Sequence, residues 1–309
     1  MSSAMTYGRL AGTQVTAADG HELTFLPLGG SFGATVVGVD LSGNLSEPVK
    51  DELRRAFTAY GALRFAKQRL APDDELRALR IFSDVAPMLT PWRHPEGFPQ
   101  ILILSNIIAE NGEPVGVANK KGMEWHVDNS GCGADGLASS LYAIEVPETG
   151  GETYFANGYL AFETLPASER ERLLSMIARY SSLTLRKYLM EATGEEAPPE
   201  MEEDKAPYPD VFRPLVKTHP VTGRKALHFT IEEIASIDDM TNMETRELLN
   251  GLIHHMTSTP HIVYRHDWTP GDAFIWDNRC IIHSTSEYNY AGQRRLMHQI
   301  TGKDFAPTE

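Results

Sequence analysis

The chain has 309 residues, 41% of them hydrophobic, and its 28 basic residues against 42 acidic ones give a formal net charge of −14. A surface this acidic repels a phosphate backbone, so nucleic acid is excluded as a partner. No apolar run reaches the roughly 18 residues of a membrane helix, and the only two cysteines, Cys132 and Cys280, are too few for a disulfide framework, so we expect a cytoplasmic protein with no membrane partner.

The first third of the chain predicts a scaffold of mixed strands and helices. Apolar and β-branched residues predict strands at 21–26 and 34–39, joined by a glycine-rich turn. Ser46 is the predicted N-cap of a helix with Pro48 in its first turn. Three further elements, a strand, a helix and a strand, are predicted at residues 62–66, 73–84 and 100–105.

The middle of the chain predicts a loop at 106–122, and then a strand that carries His126 and Asp128. A glycine turn at 131–133 and a strand at 138–146 follow. Another strand begins at Glu152, and Ser168 is the predicted cap of a helix that turns Leu173, Leu174 and Ile177 inward.

An acidic segment then interrupts the pattern. Eight carboxylates lie between Glu191 and Asp210, and such a composition cannot bury enough apolar surface to order itself. We predict a lid or insertion over residues 184–212 that closes when a ligand binds. A solvated linker is the alternative.

The last third of the chain predicts mostly strands. A hairpin is predicted at 213–230 and an amphipathic helix at 243–256. Four strands follow, at residues 261–266, 273–276, 280–283 and 294–301. Many short antiparallel strands with the helices grouped apart predict a mainly β fold with helical decoration, a jelly-roll core in a single domain over residues 1–309.

His126 and Asp128 are candidate metal ligands because residues i and i+2 of a strand point to the same face. An iron that activates oxygen takes two imidazoles and one carboxylate on one face of its octahedron. His283 is the candidate for the third position, and only the fold can bring it to His126. Taken separately, the pair also fits a surface turn, and His283 also fits a histidine hydrogen-bonded within a sheet.

The final predicted strand supplies a cation. Its alternation turns Leu296 and Ile300 toward the helices and leaves Arg295, Met297 and Gln299 facing the interior. An interior arginine needs an anion, and its planar fork suits a carboxylate. A dicarboxylic acid held by Arg295 at one end and by the metal at the other meets both requirements.

Several motifs of this chain occur in the order and spacing of a known family. They are His126-Val127-Asp128, Gly150-Gly151-Glu152-Thr153, Thr218-His219-Pro220, Trp276-Asp277-Asn278-Arg279, His283 and Gln293-Arg294-Arg295. From about Thr24 to Thr301 the chain resembles the taurine and phenoxyacetate dioxygenases, which depend on iron(II) and 2-oxoglutarate.

The resemblance implies a double-stranded β-helix, a form of the jelly roll, that holds Fe(II) through His126, Asp128 and His283. It also implies 2-oxoglutarate as a co-substrate with O2, with its distal carboxylate on Arg295 and on the Thr153 hydroxyl. Spacing from the histidine favours Arg294 instead, whereas strand alternation favours Arg295. Because Asp128 occupies a coordination position, we expect hydroxylation or a related oxidation rather than halogenation.

The substrate is the least determined part. Gln299 stands where the taurine enzyme has its sulfonate-binding arginine, and residues 87–89 replace a histidine-containing stretch, so taurine is a poor candidate. Asn129, Arg186, Lys187 and Gln299 are candidate contacts for a small organic or amino-acid-derived acid. A turn-forming asparagine is the alternative for Asn129, and a solvated charge pair is the alternative for Arg186 and Lys187. A zinc hydrolase and a non-catalytic binding module remain alternatives, and homo-oligomer formation stays open.

Overall fold

The computed structural model describes residues 12–85, 93–117, 122–130, 136–193 and 209–303. These ranges contain helices α1 to α6 at Glu47–Tyr60, Pro72–Leu79, Gly158–Glu163, Ala167–Leu173, Ser182–Thr193 and Asn242–Ser258. They contain strands β1 to β17 at Thr13–Thr16, Glu22–Pro27, Ala34–Val37, Ala62–Phe65, Leu102–Ser105, Met123–His126, Gly136–Glu145, Thr153–Asn157, Ile177–Tyr180, Val211–Pro214, Val216–Thr218, Lys225–Leu227, Ile234–Ile237, Val263–His266, Ala273–Asp277, Ile281–Thr285 and Leu296–Lys303. Among the described residues, no helix is both long and apolar enough to cross a bilayer.

Two sheets build the core. The larger has the order β1-β2-β3-β4-β15-β7-β17-β5, and the smaller has the order β14-β8-β16-β6. Phe155 of β8 stacks on Phe274 of β15 with ring centroids 4.4 Å apart, so the two sheets pack face to face. All five residues of β15 are buried, as expected for a strand covered on both faces.

Helix α1 covers the outer face of the larger sheet. Ser46 caps it by accepting a hydrogen bond from the Val49 amide, and Pro48 lies in the first turn as predicted. Gly61 ends the helix with a φ of 72°, a left-handed conformation that glycine adopts without steric cost. Ile300 of β17 belongs to the same buried cluster as Leu53 and Phe57 of α1, and Met297 belongs to a different one with Phe155 and Phe274, as predicted, whereas Leu296 is only partly buried.

Three predicted boundaries were wrong. Helix α4 ends at Leu173, so Ile177 begins strand β9. Leu174 and Ile177 are 37% and 38% exposed rather than turned inward. The N-cap of α4 is Pro166, and Ser168 lies inside the helix. The helix predicted at 73–84 ends at Leu79. The end of α4 depends on tertiary pairing, because the following strand β9 is held by β10 and β13 from distant parts of the chain.

The described parts of the predicted lid are helical at its start, within α5, and extended at its end, where β10 begins at Val211. Residues 182–193 form α5, so this part is not the irregular segment that the acidic composition indicated. Residues 194–208 lie outside the described ranges, as do the predicted glycine turn at 131–133 and the stretch 87–89. The lid, like the single-domain assignment, therefore remains a prediction.

A buried ionic network joins the turn after β11 to the end of β15. Arg279 donates to both carboxylate oxygens of Asp277, at 2.8 and 2.7 Å, and His219 Nε2 donates to Asp277 Oδ2 at 3.0 Å. Burial alone would raise the pKa of Asp277, but the hydrogen bonds from Arg279 and His219 outweigh it and hold the pKa below its usual range. The network therefore stabilises the fold with Asp277 ionised.

Replacing Asp277 with asparagine is expected to lower the free energy of unfolding by about 3 kcal/mol, since a buried ion pair loses one partner. Urea denaturation measures the loss. The difference in unfolding free energy between variant and parent should be constant near neutral pH. It should shrink only below about pH 4, where Asp277 of the unfolded parent protein begins to bind a proton. Asp267→Asn is the control, because this exposed carboxylate pairs with exposed Arg265 and should change stability by less than about 1 kcal/mol.

Candidate metal centre

Strand pairing brings together the two histidines of the predicted site. His126 and His283, which are 283 − 126 = 157 residues apart in sequence, are direct partners in the antiparallel pairing of β6 with β16. Their ring centroids lie 4.0 Å apart. The structure thus makes neighbours of two residues whose proximity no local pattern determines.

Asp128 joins them from a turn. Strand β6 ends at His126, so the prediction that Asp128 lies on the same strand was wrong. The chain turns through Asn129, which has a φ of 59° that asparagine tolerates better than most residues. Asp128 Oδ1 then lies 3.8 Å from Nε2 of both histidines, and one ligand atom from each of the three residues lies within 4.8 Å of the others.

Thr230 holds this turn in place. The Val127 amide donates to Thr230 Oγ1 at 2.9 Å, and the same hydroxyl contacts Ser130 Oγ at 2.6 Å. Ser130 in turn donates to Glu233 at 2.7 Å. These contacts are buried, so the position of Asp128 is set by packing rather than by loop flexibility.

The protonation of the three residues suits a cation. His126 Nδ1 lies 2.7 Å from the Glu124 carbonyl, to which it can only donate, so its Nε2 carries the lone pair. Burial, followed by the charge of His126, keeps the pKa of His283 well below its usual range, which favours the neutral ligand form.

Asp128 has no lysine or arginine within 4 Å in the described ranges. Its Oδ2 is buried and has no hydrogen-bond donor in the described ranges. Burial raises the pKa of Asp128, an effect that His126, Ser139 and Gln299 only partly offset. Two imidazoles beside a buried carboxylate fit the donor set of a divalent iron.

Gln299 lines the cavity and also forms a hydrogen bond with Asp128. Its amide donates to Asp128 Oδ1 at 3.1 Å, although it was predicted as a substrate contact. Outer hydrogen bonds of this kind orient metal ligands. Gln299 is therefore placed to position Asp128.

Gln299→Leu is expected to weaken Mn(II) binding by about tenfold, because Asp128 loses the donor that orients it. Calorimetric titration of the metal-free protein measures the affinity. Gln293→Leu, a change in a glutamine that does not line the cavity, serves as the control. Unchanged Mn(II) affinity in the Gln299 variant would leave substrate contact as the role of this residue.

The three residues open into a cavity of about 510 Å³, whose wall is mainly apolar. Leucines and methionines from several elements contribute to it, namely Leu102, Leu104, Met123, Leu141, Leu185 and Met190. Such a wall excludes water from the centre and suits a ligand with an apolar body.

The two adjacent arginines have different environments. Arg295 lines the cavity, whereas Arg294 is exposed and forms two hydrogen bonds with Glu145, at 2.8 and 3.1 Å. Strand alternation therefore predicted correctly that Arg295 faces the cavity, whereas spacing from the histidine had favoured Arg294.

Arg295 has no carboxylate partner within 4 Å among the described residues, and its guanidinium carbon lies 6.0 Å from the Tyr288 ring centroid. Burial lowers the pKa of Arg295, but an arginine stays charged at neutral pH, so an anion is needed there.

Of the other residues predicted to contact substrate or 2-oxoglutarate, some line the cavity and others do not. Asn129 and Arg186 line the metal cavity, whereas Lys187 lines a separate groove behind it. Thr153 is fully buried, accepts a hydrogen bond from the Trp268 indole at 2.9 Å and does not line the cavity. Lys187 and Thr153 are therefore not brought to the cavity wall.

The sequence analysis missed Glu232, which lines the cavity and is only 4% exposed. It follows a predicted hairpin and has a second glutamate beside it, a pattern that indicates a surface turn. No local signal distinguishes that turn from a buried one.

A second cluster of possible ligands, His219, Asp277 and Cys280, does not form a metal site. His219 Nδ1 accepts hydrogen bonds from the Val221 and Thr222 amides, so its Nε2 carries the proton and has no lone pair. Burial, followed by the charge of Asp277, raises the pKa of Cys280 well above its usual range, so the thiol stays protonated.

The chain is similar to known proteins over most of its length. The model of the taurine catabolism dioxygenase TauD, TfdA family matches residues 24–301. Pentalenolactone F synthase of Streptomyces arenae is 32% identical, with 90% of this chain and 94% of the relative covered. The (S)-phenoxypropionate/alpha-ketoglutarate-dioxygenase of Sphingobium herbicidovorans is 30% identical, with 90% and 94% covered.

A solved taurine dioxygenase from Burkholderia xenovorans superposes with a TM-score of 0.72, at 24% identity, over 92% of this chain and 90% of the other. This likeness confirms the predicted jelly-roll fold.

Proposed function

The chain belongs to the TauD, TfdA family and is a 2-oxoglutarate-dependent dioxygenase, and we propose that it hydroxylates a C–H bond of a small organic or amino-acid-derived acid. The observation that carries the proposal is that a His/Asp/His cluster and a half-buried arginine without a carboxylate partner in the described ranges line one cavity. In this proposal His126, Asp128 and His283 hold Fe(II).

The bound iron would supply the oxidation of 2-oxoglutarate by O2 to succinate and CO2, coupled to oxidation of the substrate. The chain's own residues bind and orient the reactants. Arg295 receives the distal carboxylate of 2-oxoglutarate through its planar fork, and Gln299 keeps Asp128 turned toward the histidines. The apolar wall excludes water.

Thr153 keeps only a supporting role in this proposal. Its hydroxyl oxygen already accepts from the Trp268 indole, so any contact with 2-oxoglutarate would use the hydroxyl proton. Arg294 has no such role, because Glu145 already neutralises it at the surface.

Two features support an acid as the substrate. Arg186 places a cation on the cavity wall without entering the proposed metal or 2-oxoglutarate contacts. The relative from Sphingobium herbicidovorans is named for phenoxypropionate, which is itself a carboxylic acid. Arg186 is therefore proposed to bind the substrate carboxylate, with Asn129 beside it.

The proposal is tested with the purified protein, Fe(II) and 2-oxoglutarate. We expect O2 consumption that produces one succinate per 2-oxoglutarate and that stops when Fe(II) is omitted. Succinate formation independent of Fe(II), or none in the presence of candidate acids, would overturn it. A zinc hydrolase would instead act without O2, and a binding module would bind its ligand equally well after His126→Ala.

A further inference from the structure

We propose that Glu232 binds a protonated amine of the substrate, so that the enzyme acts on acids that also carry an amino group and an apolar body. This inference rests on the proposed function and assigns a role to a residue that it leaves unused. It identifies Glu232 as a specificity-determining residue of the same cavity.

Glu232 is held on the cavity wall by its own turn. The Ile231 amide donates to the Trp125 carbonyl at 3.2 Å, and the Glu233 amide donates to the Thr230 carbonyl at 3.2 Å. Thr230 is the residue that also fixes the turn of Asp128. Glu232 is therefore placed by the same backbone that places the metal ligands, which makes it part of a preorganised wall.

The carboxylate of Glu232 is unsatisfied within the described ranges. It is 4% exposed, and neither of its oxygens has a hydrogen-bond partner. No lysine or arginine described in the structure lies within 4 Å of it, although ion pairs are found around many other carboxylates. Buried carboxylates are ordinarily paired or hydrogen-bonded, so this one is expected to meet its partner in a ligand.

The charges of the cavity leave a place for a cation. Fe(II) and 2-oxoglutarate carry opposite double charges, and Asp128 offsets Arg295. Arg186, Glu232 and Glu233 remain. Glu233 accepts a hydrogen bond from Ser130, whereas Glu232 has no such donor in the described ranges. A substrate with a carboxylate for Arg186 and an ammonium for Glu232 satisfies both groups.

The groove on the far side of Glu232 does not supply that cation. Arg179 is paired there with Asp210 at 2.6 Å, and Arg246 donates to the carbonyl oxygens of Ile231 and Ile234. Lys187 lines the same groove but does not come within ion-pair distance of Glu232. The pKa of Glu232 is accordingly raised, chiefly by burial and only partly opposed by the charge of His126.

The test measures binding to protein loaded with Mn(II) and N-oxalylglycine, an unreactive analogue of 2-oxoglutarate. The probes are matched sets: L-leucine with 4-methylpentanoate and 3-methylbutylamine, and L-phenylalanine with 3-phenylpropanoate and 2-phenylethylamine. We expect at least one amino acid to bind about tenfold more tightly than its deaminated partner, the difference made by one charged contact. In Glu232→Gln the amino acid and its deaminated partner should bind about equally tightly, and the binding of Mn(II) and N-oxalylglycine should be unchanged.

Two further variants keep the test decisive. Glu232→Asp retains the charge on a shorter side chain, so it should weaken the preference without removing it, and it carries the test if the glutamine variant does not fold. Glu124→Gln, which removes an exposed carboxylate from the neighbouring groove, should keep the full preference.

The outcomes separate this inference from the proposed function. Equal or tighter binding of the deaminated acids, no binding of any amine-bearing probe, or a preference that survives in Glu232→Gln would overturn the role of Glu232. Failure of the parent protein to bind Mn(II) and N-oxalylglycine would overturn the proposed function instead.

Discussion

His283→Ala is expected to lower 2-oxoglutarate turnover by at least about a thousandfold, because it removes one of two imidazoles from a site whose metal contributes several kcal/mol to catalysis. Asp128 and His126 would then offer only two ligand atoms, too few to hold Fe(II) in a fixed geometry. Succinate production measured at saturating 2-oxoglutarate gives the effect.

Metal binding provides a second readout that does not depend on turnover. Mn(II) should raise the melting temperature of the parent protein, since a ligand that binds only the folded state stabilises it, and should leave that of His283→Ala unchanged. His254→Ala controls for metal held by surface histidines. If His283→Ala still binds one Mn(II) with parental affinity, the metal lies elsewhere.

Local spacing proposes His126 and Asp128 as ligands and His283 as a candidate third ligand, but it cannot show that His283 meets the other two. Nothing local relates two histidines that are 157 residues apart; the order of the motifs does, because the family fold fixes which strands become neighbours. By contrast, local chemistry alone was enough for helix α1, where Ser46, Pro48 and Gly61 mark both ends.

The sequence could not show where three of the side chains lie in the folded chain. Asp128 was placed on a strand because alternation cannot reveal that Asn129 turns the chain. Glu232 was passed over because two adjacent glutamates after a hairpin resemble a solvated turn. Lys187 was grouped with Arg186 because the two are adjacent in sequence. Consecutive residues of a helix point in directions about 100° apart, so Arg186 lines the cavity and Lys187 lines the separate groove.

The adjacent arginines allow the sharpest comparison in this chain. Arg295→Gln is expected to raise the KM for 2-oxoglutarate by about tenfold to a hundredfold, because a charge-assisted pair with the distal carboxylate is lost. Arg294→Gln removes the same charge one residue away, but from an exposed pair with Glu145. It should therefore leave the KM within about twofold, since exposed ion pairs contribute little.

Arg295→Lys separates charge from geometry. Lysine keeps the positive charge but lacks the planar fork, so an intermediate KM is expected if the carboxylate is bound through two parallel hydrogen bonds. Calorimetric binding of N-oxalylglycine to the Mn(II)-loaded variants should follow the same order, because it measures the carboxylate contact without turnover. If Arg294→Gln proved the more damaging change, the 2-oxoglutarate carboxylate would have to lie outside the cavity that holds His126, Asp128 and His283.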